Sequence, residues 1–225
     1  MSNKVVQTQA AYNRPEELTN IITHAVAAAL SFVGLVLLML KTTRLEYSAL
    51  GICAVVVFGL AMITTFVISM LCHAMPYGGK AREILRRLDR CTVAILIFGV
   101  YAPVMLIGMV RGTNTDAVWG YALFAVIAAT AVLSILFSCV DAAKLKAVRL
   151  VTYVVMGCAC ILRVHRIVAL CGYNCFWFLL GGSVLYALGI IFYGNRKIPF
   201  NHAIWHLFVI AGAALNFTCV YAFMV

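Results

Sequence analysis

Seven apolar stretches, each bounded by polar or basic residues, run from residue 21 to the end of the chain. They are Ile21–Leu40, Leu50–His73, Cys91–Val110, Ala117–Val140, Leu150–Leu162, Tyr173–Tyr193 and Ala203–Val225. Most reach roughly 20 residues, the length an α-helix needs to cross about 30 Å of hydrocarbon. Lipid offers backbone N–H and C=O groups no partner, so helix is the state expected of each stretch. The fifth is short, because Arg149 and Arg163 bracket only 13 apolar residues, against the roughly 17–25 of an ordinary span. Arginines at helix ends can snorkel to the headgroups, which lets a slightly longer helix cross. The pattern predicts an all-α integral membrane protein, a seven-transmembrane helix bundle. Residues 1–20 form a polar N-terminal segment and residues 21–225 a single membrane domain.

Composition agrees with the pattern. Of 225 residues, 65% are hydrophobic and 11% charged, whereas soluble domains average about 45–50% and about 25%. The first apolar stretch is long enough to span and follows a polar start, so no cleavable signal peptide is expected. The net charge of +10 is not a nucleic-acid signal here, because such an excess belongs to short cytoplasmic loops. One set of ends and loops carries Lys4, Arg14, Lys80, Arg82, Arg86, Arg87, Arg90, Lys144, Lys146, Arg149, Arg196 and Lys197; the other carries Lys41, Arg44, Arg111, Arg163 and Arg166. Positive-inside therefore places the N-terminus in the cytoplasm and the C-terminus outside, with Trp119 and Trp177 at the outer interface. Nine cysteines leave at least one unpaired. Most read as small packing residues, and Cys171 and Cys175 flank a turn where they can pair on an oxidising side.

On that map the ionisable residues fall at one depth. His24, Ser69 and His73, Asp89, and the pair His202 and His206 all lie at inner ends of their stretches. Residues i and i+4 share a helix face, so His202 and His206 can bind one ion together, as Ser69 and His73 can face one ligand. His73, His202 and His206 would form a three-nitrogen Zn2+ shell with one open position. Asp89 would act as base and Ser69 would hold water or a substrate oxygen. Glu17, Asn20 and His24 would orient the imidazoles. Each residue alone also has a plainer reading. A lone histidine at a membrane end is usually interfacial, as His165 is beside Arg163 and Arg166. Asp89 can cap a helix or pair with Arg86 or Arg87, and Ser69 can back-bond to the Thr65 carbonyl. The pattern at one depth favours the joint reading. Pro103 predicts a kink beside the site, through crowding of the Gly99 carbonyl. Gly181-Gly182, Gly189 and Gly108-x-x-x-Gly112 predict close helix approaches, and Asn216 a hydrogen bond across helices. Lys80–Arg90 reads as a basic loop.

These residues resemble the hemolysin III family, the bacterial branch of the progestin and adipoQ receptor family. Glu17-x-x-Asn20-x-x-x-His24, Ser69-x-x-x-His73 with Asp89, and His202-x-x-x-His206 match its three motifs. Gly99-Val-Tyr-Ala-Pro103 and Ile198-Pro-Phe-Asn-His-Ala-Ile-Trp-His206 are similar to its bacterial members. The resemblance implies a seven-helix bundle in a bacterial inner membrane, zinc held by three histidines near the inner face, Asp89 and Ser69 beside it, and kinship with membrane hydrolases of the ceramidase type. Arg90 stands where many relatives have histidine. The function expected is hydrolysis of a lipid amide or ester, with membrane lipid as partner. A membrane-state sensor with structural zinc and a pore-forming cytolysin are the alternatives.

The charge map generates a topology test. A compartment-sensitive reporter fused after Val225 should read outside and one between Lys80 and Arg90 inside. A cytoplasmic reading at Val225 would require an even number of crossings.

Overall fold

The computed structural model describes residues 12–139, 145–195 and 197–225. Lys4, Lys144 and Arg196 of the charge map, and residues 1–11 of the polar N-terminal segment, lie outside these. The described chain is helical, with α1 (Arg14–Arg44), α2 (Ala49–Ala74), α3 (Lys80–Pro103), α4 (Asn114–Cys139), α5 (Lys146–Cys158), α6 (Val164–Gly194) and α7 (Asn201–Cys219). No strand is present among the described residues. Among the described residues, six runs are long and apolar enough to cross a membrane.

The helices present their polar and small residues inward. The buried stripe of α1 is Asn20, His24, Ala27, Ser31, Gly34, Leu38 and Thr42, at three- and four-residue steps. Leu18, Ile22, Val26, Leu30 and Leu40 on the other face are more than half exposed. A helix solvated by hydrocarbon needs no apolar seam, and small residues let its neighbours approach closely.

Helix boundaries depart from the apolar stretches where polar residues continue the helix. α1 begins at Arg14, not Ile21, because Asn13 and Glu16 form a capping box with Pro15 in the first turn, satisfying amide groups that would otherwise lack partners. α3 begins at Lys80, so the expected basic loop is mostly the first turns of a helix. The irregularity after Pro103 is a wide turn over Val104–Gly108. Pro103 lies 14 residues beyond Asp89, about 20 Å along the helix axis. The kink is therefore remote from the histidines, not beside them.

The largest correction concerns the fifth and sixth stretches. The chain is helical or nearly so from Ala147 to Gly194, a run of 48 residues, which would measure about 70 Å if straight. Two irregularities divide it. α5 tightens over Ala159–Arg163, where the Tyr101 hydroxyl donates to the Gly157 carbonyl and accepts from the Cys160 amide, both at 3.1 Å. Gly172 then leaves helical geometry at φ 85, ψ 162, a region that side-chain-bearing residues avoid. Contacts fix where each end lies. Near the start of the run, the Tyr153 hydroxyl donates to the Arg90 carbonyl at 2.7 Å and Arg149 to the Phe137 carbonyl at 3.4 Å. At mid-run, Arg163 and Arg166 reach Asp116 of α4 at 3.1 and 2.5 Å. At its end, the Asn201 amide donates to the Phe192 and Tyr193 carbonyls, both at 3.3 Å.

Buried Asp116 also accepts from the Thr113 amide and hydroxyl at 3.0 and 2.8 Å. The Arg163–Arg166 cluster is thus a clasp between α4 and α6. Its Arg163 guanidinium lies over Trp119, 4.9 Å from the ring centre. Across the α6–α7 seam, Asn216 donates to the Tyr186 hydroxyl at 3.2 Å, the expected inter-helix bond.

That seam tolerates no added bulk. A Cβ on Gly189 would sit 2.7 Å from the Trp205 ring and 2.8 Å from the Phe208 Cβ, whereas one on Gly157 meets nothing within 4 Å. Gly189→Ala should therefore destabilise by about 1–3 kcal/mol and lower the thermal midpoint in detergent. Gly157→Ala should not lower it. Equal midpoints for both variants would contradict this packing.

Candidate metal centre

Four helices converge on the histidine end. α1 brings Glu17, Asn20, Thr23 and His24; α2 brings Ser69 and His73; α3 brings Arg82 and Asp89; α7 brings His202 and His206. The start of α7 is set locally. Pro199 limits the preceding residue to extended backbone, and Phe200 takes the left-handed conformation at φ 56. The Phe200 amide donates to Glu16 at 3.0 Å, and the Asn201 side chain ties back to the end of α6. The first turn of α7 is thereby locked against both α1 and α6.

Each of His73, His202 and His206 offers a ring nitrogen, and the three nitrogens all lie within 4.8 Å of one another. All three rings are buried, His206 to 1% exposure. Tetrahedral zinc with nitrogen ligands at about 2.05 Å needs neighbouring nitrogens about 3.3 Å apart. The His73 Nε2 to His202 Nε2 separation is 3.0 Å. The donor set therefore fits a small tetrahedral ion after minor adjustment.

Hydrogen bonding sorts the ring nitrogens. Nδ1 of His73 lies 2.6 Å from Glu17 Oε2. A carboxylate only accepts, so this nitrogen carries a proton, and in the neutral ring Nε2 keeps its lone pair. Nδ1 of His206 lies 3.3 Å from the Thr23 hydroxyl, whose single proton is already given to the Thr19 carbonyl at 2.8 Å. His206 Nδ1 is thus the donor, and its Nε2 is also left free to bind an ion. Such an outer carboxylate or hydroxyl is the usual means of orienting a metal-binding imidazole.

Glu17 is itself held. Arg82 donates to its Oε1 at 2.5 Å and to the Met75 carbonyl at 2.5 Å. The Tyr77 hydroxyl also donates to Oε1. Burial first, and this bond second, push the Tyr77 phenol up to about 12, so it remains a donor at neutral pH. Arg82 further lies 3.7 Å from the centre of the Tyr77 ring.

The remaining predicted residues cluster around this core. His24 stacks on His206 with ring centres 3.6 Å apart. Its two nitrogens and the Asn20 side-chain amide are buried and meet no hydrogen-bond partner among the described residues. The Asn20 backbone carbonyl accepts from the His206 ring. Ser69 hydrogen-bonds the half-buried Asp89 carboxylate, which lies within electrostatic reach of His73. Asp89 is inside α3, so it is no helix cap, and Arg87 pairs with Glu83 at 2.5 Å. A groove of about 410 Å³ leads to His73 and Glu17, walled by Tyr12, Arg14, Leu18, Ile21, Met75 and Tyr77 among others.

Sequence reasoning missed Thr23, Tyr77 and Arg82. Arg82 was concealed in a basic run, although it lies seven residues before Asp89, two turns away on the same face. Tyr77 and Thr23 carry no signal in the sequence, because each acts through a tertiary contact.

Comparison with known proteins places this geometry in a wider group. The family described as "Haemolysin-III related" matches residues 12–217. "Hemolysin-3" of Bacillus cereus is 33% identical over 205 residues, covering 91% of this chain and 90% of its own. "Hemolysin-3 homolog" of Bacillus subtilis is 34% identical over 205 residues, with 91% and 92% covered. A human protein, "Monocyte to macrophage differentiation factor", is 26% identical over 214 residues, with 93% and 84% covered.

Elemental analysis of the purified protein should find about one transition-metal ion per chain, the stoichiometry of a three-imidazole shell. His73→Ala, His202→Ala and His206→Ala should each lose it. Glu17→Gln should weaken binding by about 10–100-fold. His165→Ala should not alter it. Full metal content in all three ligand variants would end the assignment.

Proposed function

The chain belongs to the haemolysin-III-related family, and we propose that it is a zinc-dependent membrane hydrolase acting on a lipid amide or ester. The observation that carries this reading is the set of three converging histidines, with His73 and His206 each spending the Nδ1 proton on an outer partner. Bound there, zinc would polarise a carbonyl and make water acidic enough to ionise near neutral pH.

The chain's own residues supply the rest. Asp89 takes the proton from the attacking water and returns it to the leaving group. Ser69 holds Asp89 in place and offers its hydroxyl to water or to a substrate oxygen. Glu17, fixed by Arg82 and Tyr77, keeps the His73 ring turned toward the ion. The groove beside His73 is lined by apolar Leu18, Ile21 and Met75 and by polar Tyr12, Arg14 and Tyr77. That pairing suits a lipid whose chain stays in the bilayer while its linkage enters the site.

The same reading includes seven crossings of a bacterial inner membrane, with the N-terminus and the histidine site on the cytoplasmic side. The 48-residue run starts beside Arg90 and Phe137, reaches Asp116, and ends beside Asn201. Two crossings broken near Gly172 accommodate those contacts. The distribution of Lys and Arg supports the orientation.

Asp89→Asn separates an enzyme from a structural metal site. Acting as base, Asp89 is worth about 10²–10⁴-fold in rate. The variant should keep its metal and lose chelator-sensitive release of fatty acid from membrane lipid by that factor. Unchanged release, measured at full metal content, would remove Asp89 from the mechanism. Absence of chelator-sensitive release from wild-type protein would favour a sensor with a structural ion.

A further inference from the structure

At the end of the bundle opposite the histidines, three of the nine cysteines gather where α6 meets α7. Cys175 Sγ and Cys219 Sγ are 3.1 Å apart, closer than unbonded sulfurs ordinarily come and about 1 Å beyond a disulfide bond. The Cys219 thiol also faces the Cys175 carbonyl at 3.4 Å. Both residues are fully buried. Cys171 sits four residues earlier, across the Gly172 break, with its thiol neighbouring that of Cys175. Gly108 makes room for it, since a Cβ there would lie 2.8 Å from Cys171 Sγ. Of the three, Cys171 alone is partly accessible. The thiols thus form a line from the surface inward: Cys171, Cys175, Cys219.

We infer that Cys175 and Cys219 form an inter-helix disulfide, loaded by thiol–disulfide exchange through Cys171. The oxidant is an external disulfide, either a small molecule such as oxidised glutathione or the disulfide of a thiol oxidoreductase. The Cys171 thiolate attacks one sulfur of that disulfide and expels the first thiolate, leaving a mixed disulfide. Cys175 attacks Cys171 Sγ and expels the second thiolate, forming Cys171–Cys175. Cys219 then attacks Cys175 Sγ and returns Cys171 as a free thiol. Two protein thiols lose two electrons and two protons, and the external disulfide becomes two thiols. The sequence allows Cys171 and Cys175 to pair on an oxidising side; in this scheme that bond is the intermediate. In the orientation proposed above, this end faces the oxidising side, but the chemistry does not depend on the metal site.

The test uses the full chain, purified in detergent, reduced, freed of reductant and incubated with oxidised glutathione. After acid quenching, unfolding and alkylation with N-ethylmaleimide, peptide mass spectrometry reads each cysteine. The expected product links Cys175 to Cys219 and carries maleimide on Cys171. Cys171→Ser and Cys171→Ala, each eluting as a single species on size exclusion, should lack the link over the interval in which the wild type completes it. The inference is overturned if wild-type Cys175 and Cys219 stay alkylated, if Cys171–Cys175 is the stable product, or if both Cys171 variants form the link as fast as the wild type.

Discussion

One carboxylate holds the histidine end together. Glu17 comes from the first turn of α1, accepts from His73 at the end of α2, and accepts from Arg82 near the start of α3. A charge this near hydrocarbon is costly unless it is paired. Here the pairing also does structural work, because its partners lie on different helices. With Glu16 of the same turn receiving the Phe200 amide, the N-terminal turn of α1 becomes the piece against which the ends of three other helices are set. The positions of the three histidines follow from that arrangement.

The two ends of the bundle solve a similar problem differently. At the histidine end, one acid and one arginine orient a ring. At the other end, Asp116 is enclosed by Arg163, Arg166 and Thr113, and the cluster is used up in joining α4 to α6. Between them the bundle relies on small residues and a few hydrogen bonds, such as Asn216 to Tyr186. This leaves the long apolar side chains free to face lipid. Chemistry is therefore confined to the ends, where ionisable groups can be hydrated or paired.

Much of this was legible in the sequence, for identifiable reasons. Ionisable residues interrupting apolar stretches at four-residue spacing, such as Ser69 with His73 and His202 with His206, stand out because lipid disfavours them. The break in helical geometry at Gly172 was visible as a turn between Cys171 and Cys175. The capping box Asn13-x-x-Glu16 was also readable, yet hydropathy alone hides it, since polar caps look like loop. The basic first turns of α3 were hidden for the same reason. The tightened turn after Cys158 was not readable, because it depends on a hydroxyl from Tyr101, more than 50 residues earlier. Roles that arise from tertiary contact, as for Thr23 and Tyr77, leave no local trace.

The sorting of the ring protons has a thermodynamic consequence. With Nδ1 of His73 and His206 donating outward, their Nε2 lone pairs turn inward, and His73 Nε2 comes within 3.0 Å of a second imidazole nitrogen on α7. At that distance a proton on one of the two nitrogens, or a metal ion between them, holds the rings together. An ion bound there would tie α2 to α7, so its binding energy would add to the cohesion of those helices. Ion supply and helix docking would become one linked equilibrium, and protons would compete with the metal for the same gap. The histidine end would then hold together most firmly where metal is plentiful and loosen where it is scarce.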